Sequence, residues 1–86
     1  MANINTAHSY IAQARAASEV GHHLQAARLA IWAQRTAKQC RAAARDDVAW
    51  AAHNIIAAAM MRSTGQRERS IIGNLMAESR MIGWTF

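Results

Sequence analysis

Residues 26–45 read AARLAIWAQRTAKQCRAAAR, and within them Ala26, Ala30, Ala33, Ala37, Cys40 and Ala44 recur in strict alternating steps of four and three. Side chains at this spacing line one side of an α-helix, so the stretch predicts a heptad seam built from small residues. Arg28 and Arg35 fall on the opposite side of that helix, with Lys38, Arg41 and Arg45 swung towards one flank. Small seam residues let two helix axes approach closely, which makes the seam a contact within a helical core or between copies of the chain. The basic face is then left outward.

The rest of the chain agrees with a helical reading. It has no proline in 86 residues and no stretch of period-two alternation, so the expected class is all-α. The four glycines become the punctuation. Asn5 or Thr6 can cap a first helix running through Ala7, Tyr10, Ala14 and Ala17, and Gly21 suits the position just past its end. A second helix follows from about His22 to Arg45. Carried forward, the heptad meets Asp47 and Asn54, so a turn is expected at Asp46-Asp47, with one long unbroken helix as the alternative. The third segment, VAWAAHNIIAAAMM at 48–61, is apolar nearly all round and is read as the centre of the fold. After Ser63-Thr64-Gly65-Gln66 comes a fourth helix with Ile71, Ile72, Leu75, Met76 and Ile82 on one stripe and Arg67, Glu68, Glu78 and Arg80 mostly outside. The expectation is one domain, a small bundle of three to four helices at about residues 6–20, 22–45, 47–62 and 66–82. The tail at 83–86 carries Trp84 and Phe86, which are expected to dock on the domain or on a neighbouring subunit.

Composition narrows the function. Roughly a quarter of the chain is alanine, and an alanine buries only about one methyl group's worth of apolar surface. A small core of this kind gains stability from assembly, so a homo-oligomer or a partner is expected. The single Cys40 excludes an intramolecular disulfide, fits a reducing cytoplasmic setting, and is read as a small buried hydrophobe. No secretory apolar segment is evident, and the longest apolar run, IIAAAMM at 55–61, is too short to span a bilayer. Ten basic against five acidic residues leave a formal charge of +5, which favours an acidic protein surface or nucleic acid as partner.

Little in the sequence speaks for chemistry. His22 and His23 are adjacent and diverge, while His8 and His53 belong to other helices, so no metal site is expected. No nucleophile elbow, phosphate-binding glycine loop or acid/base pair is present, and neither catalysis nor a cofactor is expected. Asp46-Asp47 is read as a helix cap. Met60, Met61, Met76 and Met81 read as core filler that could also line a groove for a helix. Trp32 lies between the seam and the basic face. Large aromatics bordered by arginine are enriched at binding hot spots, which makes Trp32, Arg28 and Arg35 the first candidate contacts, extended by Lys38, Arg41 and Arg45.

Residues Tyr10 to Ala33 resemble a single tetratricopeptide hairpin, with Gly21 at the turn, Ala14 at the close-contact position of the first helix, and Ala26 and Ala33 at those of the second. More narrowly, Tyr10, Ala14, Ala17, Glu19, Gly21, Ala26-Ala27, Trp32 and Trp50-Ala51 are similar to the small AraC-negative-regulator family and the related PerC-like regulators of bacteria and phages. The likeness covers Tyr10 to Ala51; Asn54 and an apolar run stand where the family has arginine and cysteine. It implies a compact helical protein that binds a transcription regulator or nucleoid protein without catalysis. The leading expectation is therefore a non-enzymatic helical protein of phage or mobile-element type that modulates a host regulatory or defence complex. The alternatives are a basic dimeric nucleic-acid binder and a self-assembling structural subunit.

Overall fold

In the computed structural model, which describes residues 3–83, the first helix α1 spans Ile4–Glu19 and begins earlier than the cap chemistry of Asn5 or Thr6 suggested. Asn3 is the cap, its side-chain oxygen accepting from the Asn5 backbone N–H at 2.8 Å. The earlier start brings Ile4 against the core, an apolar contact that a later cap would forgo. At the other end Gly21 has φ +84°, and the His22 and Gly21 amides donate to the carbonyls of Ala17 and Ser18 at 2.9 and 3.1 Å. This pair of bonds is a Schellman closure, which needs the left-handed backbone that glycine adopts without steric cost.

The second helix α2 spans His23–Ala37, the third α3 Ala42–Arg62 and the fourth α4 Gln66–Gly83. All described residues are helical or in short turns, so the molecule is a small all-α bundle of four helices. The expected turn at Asp46-Asp47 is overturned, and so is the unbroken helix. The chain reverses at residues 38–41, and both aspartates lie inside α3. Locally, Lys38, Gln39, Arg41 and the alanines all favour helix, so propensity gives no warning of the reversal. Tertiary burial outweighs it. A helix continued past Ala37 would carry Val48, Ile55 and Ile56 away from the bundle; folding back buries them, which is worth roughly 1.5–3 kcal/mol for each such side chain. The freed end is closed by a tightened turn, with the Cys40 amide on the Ala37 carbonyl at 2.9 Å and Arg45 Nη1 donating to the Lys38 carbonyl at 3.3 Å.

The seam therefore has a different extent from the one expected. Ala26, Ala30, Ala33 and Ala37 are buried along α2, whereas Cys40 is half-buried in the turn and Ala44 belongs to α3. A second stripe, Ala27, Ile31 and Gln34, is also buried, so α2 is enclosed round most of its circumference. It packs against all three other helices, as α3 does, while α1 and α4 do not meet among the described residues. The centre of the fold is thus shared by α2, the more enclosed of the two, and the apolar α3, which keeps one side in water. Among the described residues, eleven of the nineteen buried hydrophobic ones are alanine, so the close helix approaches rest on small side chains and the bulk comes from the few isoleucines, Ile31, Ile56 and Ile72 above all. The Cα radius of gyration, 11.9 Å, matches the roughly 12 Å of a closed domain of this length. No described helix is long and apolar enough to cross a membrane.

Candidate interaction surfaces

Only a narrow strip of α2 reaches solvent, because its other sides are taken up by the bundle. Along that strip lie Arg28 and Trp32, both exposed and one turn apart, with Thr36 half-buried beyond them. Trp32 is 52% exposed. Its ring is held from one side: the Arg35 guanidinium carbon stands 5.0 Å from the ring centroid. Arg35 is itself fixed by α4, its Nε and Nη2 donating to Glu78 Oε2 and Oε1 at 2.5 and 2.6 Å. The bidentate bond from Arg35 is the main reason the Glu78 carboxyl lies below its ordinary range; burial opposes it and attraction adds to it. The same bond raises the Arg35 guanidinium further.

This geometry revises the candidate contacts. Arg35 is engaged within the molecule, its charge matched by Glu78. Arg45 is half-buried and bonded to the Lys38 carbonyl, a capping role in the α2–α3 reversal. Lys38 and Arg41 are exposed, at that reversal and beyond the end of the Trp32 strip. The contact set that remains outward is Arg28, Trp32, Lys38 and Arg41, and no single helix face holds it. The four seam alanines of α2 are core, which leaves them closed to a second copy. Trp84 and Phe86 lie outside the described residues.

Two features escaped the sequence reading. The first is a buried polar pair: Gln34 and Ser79 are 2% and 1% exposed and bonded to each other across α2 and α4. Gln34 sits three and seven residues after Ile31 and Ala27, so its helical position did mark it as inward, but its partner on α4 left no trace in the local pattern. The second is the outer side of α3, where Trp50 is 70% and Met61 86% exposed. Asp47 and Asn54, which broke the predicted seam, were its signal, because they lie on the same side as Trp50 and Met61.

At the α3–α4 turn, buried Ser63 donates to Glu68 Oε1 at 2.7 Å, which ties down the first turn of α4 and withdraws a second carboxylate from solvent. The exposed charge is consequently more one-sided than the composition. Arg15, Arg28, Lys38, Arg41, Arg62, Arg67, Arg69 and Arg80 are exposed, against Glu19 and Asp47. Among the described residues, no three His, Cys, Asp or Glu side chains come together in a way that could hold a metal ion. No protein-family model, curated protein or solved structure matches the chain.

Proposed function

We propose that this is a non-enzymatic helical interaction protein that modulates a regulatory or defence complex by docking an acidic protein surface on Trp32 and its neighbouring cations. The observation that carries this reading is the Trp32–Arg35–Glu78 stack. An aromatic side chain half in water is normally free to change rotamer, and fixing it on binding costs entropy. Here Arg35 holds the ring and Glu78 holds Arg35, so the anchor is ordered in advance. Exposed Arg28 one turn before it, with Lys38 and Arg41 in the α2–α3 reversal beyond it, supplies the attraction for an acidic partner. The resemblance of Tyr10 to Ala51 to small helical regulators points to the same class of partner.

The test uses two probes of similar charge, an acidic amphipathic helical peptide and a duplex DNA, titrated against the protein by tryptophan fluorescence. The peptide should bind saturably, and Trp32→Ala or Arg28→Glu should each weaken it by about tenfold or more while helical circular dichroism is unchanged. Arg35 is unsuitable for this purpose, since reversing its charge would also break its bond to α4. Tighter binding of the duplex, falling steeply with salt, would replace this reading with a nucleic-acid-binding one.

A further inference from the structure

We infer that the outer side of α3 is the contact between two copies of this chain, paired antiparallel about Asn54. The positions turned outward on α3 are Ala43, Asp47, Trp50, Asn54, Ala57 and Met61, at alternating four- and three-residue steps, and all of them are exposed except half-buried Ala57. The row is about 27 Å long at a rise of about 1.5 Å per residue. It contains two of the three most exposed large hydrophobic residues among those described, Met61 at 86% and Trp50 at 70%; the other, Met81, lies on α4. Scattered exposed hydrophobic residues need no explanation, but a Trp and a Met on one heptad row of a helix do.

Charge decides what covers this row. On α3 the cations Arg45 and Arg62 are matched by Asp46 and Asp47, so the helix carries no net charge although the whole chain carries +5. An acidic protein or a nucleic acid would find no attraction here. A second copy would bring up a helix that itself carries no net charge.

The row is also complementary to itself in one orientation. Parallel pairing would set Trp50 on Trp50 and Asp47 on Asp47, a steric conflict and a like-charge contact. Antiparallel pairing centred on Asn54 sets Trp50 of each copy against small Ala57 and Ala58 of the other. It also brings the Asp47 end of one helix to the Met61-Arg62 end of the other. The two Asn54 amides then face each other at the two-fold axis, where a polar pair in an apolar seam fixes register.

Sedimentation equilibrium tests this on the whole chain. The wild type should show twice the chain mass at micromolar concentration, and salt should strengthen the dimer by screening repulsion between two positive subunits. Asn54→Glu, which places like charges at the axis, should weaken the dimer at least about tenfold with helical content unchanged, because Asn54 is exposed in the single chain. In a Cys40→Ser background, Asn54→Cys should form an oxidised covalent dimer, whereas Trp50→Cys should not. Trp32→Ala should leave the mass unchanged, which separates this contact from the proposed partner site. A monomer at all concentrations, a dimer indifferent to Asn54→Glu, or cross-linking at residue 50 in place of 54 would overturn the inference.

Discussion

Gln34 and Ser79 satisfy one another in the interior. Gln34 Nε2 donates to the Ser79 carbonyl at 2.8 Å, and the Ser79 hydroxyl donates to Gln34 Oε1 at 2.7 Å. The pair fixes how α4 lies along α2, since a shift of one residue would strand a buried amide. Ser79→Ala should lower the unfolding free energy by about 1–3 kcal/mol, because it leaves the Gln34 oxygen buried without its donor. Adding Gln34→Leu should recover much of that loss, because an apolar pair of similar shape can be nearly neutral. Urea denaturation of the two single variants and the double variant measures the coupling, and strictly additive losses would refute it.

The Arg35–Glu78 pair gives stability an acid limit. Its carboxylate has a folded-state pKa depressed below the ordinary value of 4.5, so the stabilisation is fully present above that value and is lost as pH falls through the lower one. Both side chains are more than a third exposed, at 41% and 34%, which keeps the expected effect to about 0.2–1 kcal/mol. Denaturation followed from neutral pH down into the acid range should show this loss in the wild type and a shallower one in Glu78→Gln. High salt should shrink the difference between the two proteins.

Two glycines should respond to alanine with opposite signs. Gly21 has open space where a Cβ would stand but a φ of +84°, so Gly21→Ala should cost about 1–2 kcal/mol through the backbone alone. Gly73 lies inside α4, and a Cβ there would meet only Met60 Cε at 3.5 Å. Gly73→Ala should therefore stabilise by about 0.5–1 kcal/mol. Thermal melts of the two variants read both signs.

The alanine-rich core makes each large side chain costly to lose. Ile56 is fully buried at the meeting of the helices, and Ile56→Ala should cost about 2–5 kcal/mol, a large share of the stability of so small a domain. Trp50→Ala, measured at concentrations where the chain is monomeric, should change stability by no more than about 0.5 kcal/mol, because Trp50 is exposed in the single subunit.

What the sequence determined by itself was the part governed by near neighbours. The absence of proline and the helical spacing of apolar residues dictated an all-α chain. Gly21 marked the first reversal, because the left-handed backbone there is a property of one residue. The inward side of α2 was legible from Ala26 to Ala37, since a helix places residues three and four apart on one side whatever lies opposite. Tertiary structure alone decided the rest. The reversal at 38–41 runs through residues that favour helix, and it exists because burying Val48, Ile55 and Ile56 is worth more than continuing α2. Whether an arginine is a free contact or an internal brace was likewise settled at a distance: Arg35 meets Glu78 across 43 positions and Gln34 meets Ser79 across 45. Periodicity says which side of a helix a residue occupies, but its partner depends on how whole helices pack, and that is set by the summed burial of the bundle.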